Sequence, residues 1–153
     1  LLALALLFAF IDTAFLITAL ANPSALIFVF ALACFVIYSV SSFRFLKQGI
    51  EREQIQSKKT KDWIKVNAYV SLFLCSLFFL NSISVLMSSN TVLIKLTEEF
   101  MEQQSGLPAG FTTDLMLQII KGASVFLLFT GVVGLLHIRT TLRLVKQYDY
   151  LFE

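Results

Sequence analysis

Four long apolar runs divide the chain, at about 1–21, 24–46, 63–88 and 115–138, and polar residues concentrate between and after them. Crossing a bilayer takes about 20 apolar residues in a helix, because in hydrocarbon the backbone must satisfy its own hydrogen bonds. Each run meets that length. The pattern therefore predicts an all-α integral membrane protein, an antiparallel four-helix transmembrane bundle forming a single domain over residues 1–153. Only Asn22-Pro23-Ser24 separates the first two runs. Asn22 suits an N-cap and Pro23 the first helical position, where its missing N–H costs nothing. So short a connection forces a helical hairpin.

The polar connections carry their own periodicities. "KQGIEREQIQSKKTKDW" reads as a continuation of the second helix that turns near Ser57 to Thr60. "NTVLIKLTEEFMEQQSGLPAG" places Leu93, Leu96 and Phe100 on one helical face and Lys95, Glu98, Glu99 and Glu102 on the other, which predicts a short amphipathic helix over about 91–104. It stops by Gly106, with Pro108 and Gly110 marking a turn. This helix either lies on the outer leaflet, caps the bundle, or extends the third span.

Composition agrees with a lipid environment: 58% of residues are hydrophobic, 14% are charged and sixteen are Phe, and mean hydropathy is +0.82. Soluble domains average about 25% charged residues, so this chain lacks the polar surface that water requires. Cys34 and Cys75 both lie in apolar runs, where free cysteine behaves as a small hydrophobe. The chain opens on Leu1 within an apolar run, so further residues are expected to precede it. That run is long for the apolar core of a cleaved signal.

The distribution of charge gives an orientation. Arg44, Lys47, Arg52, Lys58, Lys59, Lys61, Lys65, Arg139, Arg143 and Lys146, ten of the twelve basic residues, fall on one side of the four spans. Positive residues stay inside. Both termini and the 47–62 connection are therefore expected to be cytoplasmic, the 90–114 connection outside, and the protein integral to a plasma or inner membrane. Trp63, Tyr148 and Tyr150 fall near the inner boundary, which amphipathic rings prefer. The Lys58, Lys59 and Lys61 cluster is first a topology signal. It could also attract anionic lipid at about 1 kcal/mol per charge.

Asp12 interrupts the first run. It shares a stripe with Ala5, Ala9, Leu16 and Ala19, and small residues are what membrane helices use at close contacts. Similar seams run through Ala31, Cys34, Tyr38 and Ser41; through Asn67, Ser71, Leu74, Phe78, Asn81, Val85 and Ser88; and through Lys121, Ser124, Leu128, Gly131 and Leu135. At about 1.5 Å per residue, Asp12 lies roughly 15 Å from Asn22, Asn81 about 14 Å from Asn90, and Lys121 about 12 Å from Thr113. The three share a layer. An isolated charge near the bilayer centre costs about 2.5–3.5 kcal/mol or more, so the expected arrangement is an Asp12–Lys121 pair with Asn81 hydrogen-bonded to it. Three readings stay open: a structural clamp that fixes helix pairing, a proton or ion path, or no pair, with Asp12 protonated and Lys121 reaching outward along its stem.

No catalytic or nucleotide-binding motif stands out. His137, the single histidine, falls near the inner boundary with no second ligand at metal spacing. No metal, cofactor, nucleic acid or catalytic activity is expected. The expected function is a non-catalytic accessory, scaffold or oligomerising subunit whose partners are the bilayer and other membrane chains or itself. The alternative is a small proton- or ion-coupled carrier or channel using Asp12, Asn81 and Lys121. A membrane enzyme acting on lipid or quinone is a more distant third.

Overall fold

A computed structural model describes residues 1–19, 22, 25–103 and 110–153. The fold is all-α. Five α-helices follow in order: α1 (Leu2–Ala19), α2 (Ala25–Arg44), α3 (Lys58–Met87), α4 (Asn90–Gln103) and α5 (Thr113–Gln147). A π-helical segment, Phe45–Ile50, continues α2, and a 3-10 turn, Asp149–Leu151, follows α5. Three continuous helical stretches, Ala25–Ile50, Lys58–Met87 and Thr113–Gln147, are long and apolar enough to cross a membrane. The expected turn at Gly106 and Pro108 and the expected helix start at Pro23 lie outside the described residues.

Hydroxyl side chains start three of the helices. Ser57 Oγ accepts from the Thr60 amide at 3.3 Å, Ser89 Oγ from Val92 at 3.4 Å and Thr112 Oγ1 from Leu115 at 3.2 Å. Each takes up one of the amides that a helix N-terminus leaves without an intrahelical partner.

The chain forms two compact units, Leu1–Ser76 with Val132–Glu153, and Leu77–Gly131. In the first unit α1 packs on α2 through edge-to-face rings, Phe8 on Phe35 at 5.5 Å and Phe15 on Phe28 at 5.7 Å. Ala5, Phe8 and Ala19 are buried, Ala9 and Asp12 are intermediate, and Leu16 is exposed. The alanine stripe thus faces protein at both ends. On α2 the buried line runs through Leu32, Phe35, Tyr38, Ser42 and Phe45, one position beyond Ala31 and Ser41 of the expected seam. Gly134 of α5 sits so close to α3 that a Cβ there would collide with Cys75 Sγ and lie 3.7 Å from Phe35 Cε2.

The segment after α2 departs from expectation. It does not run on as a helix to Ser57. The π segment ends at Ile50, Glu53 takes a left-handed φ of 52°, and Gln56 pairs in parallel with Phe152. The Gln56 amide donates to Leu151 O at 2.7 Å, Glu153 N to Gln56 O at 3.0 Å and Lys58 N to Glu153 O at 3.2 Å. The Phe152 ring stacks on Phe45 at 5.0 Å. The cause is non-local. The C-terminal tail offers backbone partners and an aromatic lid, which together replace another two turns of solvated helix.

The second unit holds the end of α3, α4 and the first half of α5. α4 spans nearly the expected range, but its buried residues are Leu93 and Thr97, while Val92, Leu96 and Phe100 are 50%, 56% and 47% exposed. Leu93, Leu96 and Phe100 therefore do not form one buried face. Thr97 fits the interior because its hydroxyl donates to Leu93 O at 2.7 Å. On α3 the buried line passes from Phe78 to Ser82, and Asn81 is exposed. From Phe78 a step of four residues returns to within about 40° of the same direction around the helix and a step of three only to within about 60°, so Ser82 stays nearer the inward line than Asn81.

Candidate functional site

Two polar features stand out in the first unit. One is a chain of side chains between α2 and α5. Tyr38 Oη lies 2.8 Å from His137 Nδ1, Thr141 Oγ1 lies 3.4 Å from the same nitrogen, and Ser42 Oγ lies 3.0 Å from Thr141 Oγ1. Tyr38, Ser42 and Thr141 are buried. The Tyr38 and His137 rings also meet edge to face at 5.7 Å. In the Nε2–H tautomer Nδ1 accepts from the tyrosine hydroxyl, the stronger bond by distance. His137 is thus a partner of α2 rather than an isolated boundary residue.

Thr141 and Ser42 were not singled out by the sequence reading. A signal was present: Tyr38 and Ser42 are four residues apart on one helix, and His137 and Thr141 are four apart on another. Residues at that spacing share a helical face, and two such polar pairs can meet when their helices pack.

The second feature is a pair of neighbouring cavities between α2 and α3. A polar one, about 290 Å³, is lined by Ser41, Arg44, Gln48, Gln56, Lys59, Thr60 and Trp63. An apolar one, about 440 Å³, is lined by Phe30, Ala33, Cys34, Ile37, Asp62, Trp63, Val66 and Asn67. Trp63 lines both. The Lys58, Lys59 and Lys61 cluster is divided accordingly. Lys59 joins Arg44 in the polar cavity, whereas Lys58 holds the tail through its backbone amide. Lys61 forms an ion pair with Asp149, and its ammonium stands 6.0 Å from the Phe152 ring centroid. The hydrogen bond and charge of Lys61 hold the Asp149 carboxyl below its usual range.

The expected intramembrane cluster is distributed over both units: Asp12 belongs to the first, Asn81 and Lys121 to the second. Asp12 Oδ1 is buried and has no hydrogen-bond partner among the described residues. Within the second unit Lys121 Nζ donates to Asn90 Oδ1 at 2.7 Å, at the head of α4. Cys34 and Cys75 are free and buried. Among the described residues no three His, Cys, Asp or Glu side chains are grouped to hold a metal.

No protein-family model, curated protein or solved structure matches the chain. The three long apolar helices identify a candidate multi-span helical membrane protein.

Proposed function

We propose that the chain is a four-span integral membrane protein that works by helix packing, as a non-catalytic accessory, scaffold or self-associating subunit. In this reading α1 is the remaining span, since its 18 residues reach about 27 Å against a hydrocarbon core of about 30 Å. The basic residues of the 47–62 connection and of the C-terminal end then face the cytoplasm, with the 90–114 connection on the other side.

The observation that carries this reading is the Tyr38–His137–Thr141–Ser42 chain, which joins α2 to α5 through Tyr38 Oη, His137 Nδ1, Thr141 Oγ1 and Ser42 Oγ. Native mass measurement in detergent, with crosslinking in intact membranes, tests it. Self-association or a stoichiometric partner is expected; a strictly monomeric particle without a partner overturns it.

A second reading is a small proton- or ion-coupled carrier using Asp12, Asn81 and Lys121. Its support is the buried Asp12 oxygen without a hydrogen-bond partner, because ionisable groups inside membranes commonly mark ion paths. It predicts flux in proteoliposomes that Asp12→Asn abolishes while the helices stay folded. Absence of flux in the parent protein removes it.

A further inference from the structure

The two cavities between α2 and α3 share Trp63 as a wall and differ in polarity, so that together they form a cleft with an apolar and a basic end. On α2, Phe30, Ala33, Ile37, Ser41 and Arg44 follow steps of three and four and so form one stripe, which Gln48 of the π-helical segment extends. From Phe30 to Arg44 that stripe rises by about 21 Å, hydrocarbon at one end and cationic at the other. On α3, Val66 lines the apolar part, Lys59 the polar part, and Trp63 both.

Arg44 and Lys59 are exposed. Among the described residues neither has a carboxylate at ion-pair distance. The basic end of the cleft therefore lacks a counter-charge from the protein, unlike Lys61, which has Asp149. Asp62, the one acid among the lining residues, is exposed and belongs to the apolar part.

We propose that the two cavities together hold one anionic phospholipid, its phosphate in the polar one between Arg44 and Lys59, its acyl chain in the apolar one along Phe30, Ile37 and Val66, and Trp63 at the junction. Three features select this occupant. The cationic end needs an acceptor-rich anion, and the guanidinium presents a fork of donors suited to phosphate. The apolar end needs hydrocarbon. A tryptophan marks the boundary level that its ring prefers. The proposal rests on the membrane reading above, and its test separates the two.

Trp63 is the only tryptophan in the chain, so its fluorescence reports on the cleft itself. The full chain is reconstituted into phosphatidylcholine vesicles containing phosphatidylglycerol or phosphatidylcholine with matched, brominated acyl chains. Each basic residue facing an anionic headgroup is worth about a fivefold preference. Brominated phosphatidylglycerol is therefore expected to quench Trp63 at a mole fraction about fivefold or more below that of brominated phosphatidylcholine. The preference should fall to near one in Arg44→Gln/Lys59→Gln, and persist in Arg44→Lys/Lys59→Arg. It should also persist in Arg143→Gln/Lys146→Gln, which removes the same charge from exposed positions that do not line the cleft.

Equal quenching by the two lipids in the parent protein means ordinary boundary lipid and overturns the proposal. Loss of preference in Arg143→Gln/Lys146→Gln to the same extent means diffuse surface charge, and overturns it too. Quenching by neither lipid places Trp63 away from acyl chains, which brings down the membrane reading along with the proposal.

Discussion

Tyr38 and His137 meet at 2.8 Å across 99 residues of sequence, and Ser42 meets Thr141 at the same offset of 99. Phe35 and Gly134, which also approach closely, share that separation in the chain. A constant offset between paired positions means that α2 and α5 run parallel and in register. Parallel second and fourth spans are what a chain crossing a membrane four times, reversing at each connection, must produce. The seam advances by steps of three and four residues, the spacing of helices packed at a shallow angle.

The first prediction concerns the hydroxyl of Tyr38. Tyr38→Phe leaves His137 Nδ1 with only the longer contact to Thr141, and is expected to destabilise the protein by about 0.6–2 kcal/mol, the span of hydrogen bonds between membrane helices and in proteins generally. His137→Phe removes the shortest bond of the buried tyrosine hydroxyl and should cost a similar amount. The double variant should cost less than the two added together, because each single change already loses the same bond. Unfolding titrations in mixed micelles measure the cycle; strict additivity would mean the two side chains do not interact.

Gly134 supplies the second. A methyl group added there collides with Cys75 Sγ, and overpacking a close contact costs about 1–3 kcal/mol. Gly134→Ala should be destabilised by that amount. Removing the sulfur in Gly134→Ala/Cys75→Ala should restore much of the loss. Unchanged unfolding of Gly134→Ala would show that α3 and α5 do not approach this closely.

Much of this architecture could be read in advance, and the failures have physical causes. The apolar runs foretold the long helices because hydrocarbon leaves the backbone no alternative to helical hydrogen bonds. α4 was visible through its periodicity, yet its buried face was not: Thr97 satisfies its own hydroxyl on Leu93 O and so behaves as an interior residue. The end of α2 could not be foreseen, because Phe45 is covered by Phe152, from the far end of the chain. The seam on α3 was continued from Phe78 by a step of three to Asn81, whereas a step of four to Ser82 stays closer to the inward direction. In the polar cluster, Lys121 donates to Asn90 within its own unit, and Asp12, which it was expected to meet, belongs to the other unit. His137 was seen as a boundary residue because its nearer partner, Tyr38, lies on another helix; likewise Ser42 was missed because one residue decides whether Ser41 or Ser42 faces inward.

The third prediction follows from Glu53, whose φ of 52° is left-handed. For residues with a Cβ that conformation costs about 1–2 kcal/mol, and glycine adopts it freely. Glu53 is exposed, so its side chain has little packing to lose. Glu53→Gly should match or exceed the parent in thermal unfolding, whereas Glu53→Val, branched at Cβ, should be lowered by about 1 kcal/mol or more. Equal midpoints for the two variants would show that the turn does not require this backbone conformation.

The last prediction is a pH dependence in the docked tail. The hydrogen bond and charge of Lys61 hold the folded-state carboxyl of Asp149 below its ordinary value, which is about 3.9 for an unperturbed aspartate. Above that value the carboxyl is ionised whether the tail is docked or released, and the ion pair contributes fully. As pH falls, the released tail takes up its proton first, so the contribution declines from about pH 4 downward and is gone below the folded-state pKa. The Asp149 side chain is 59% exposed, so added salt should weaken the pair as well. The stack of Phe152 on Phe45 does not titrate, so the tail loosens without leaving. Hydrogen exchange at the Gln56, Lys58 and Glu153 amides, corrected for intrinsic rates, reads this directly because all three bond across the junction. Protection should fall as the pH drops below about 4 in the parent, and should be lower and flat over the same range in Asp149→Asn and in Lys61→Gln. A parent profile that coincides with that of Asp149→Asn would show that the ion pair does not hold the tail.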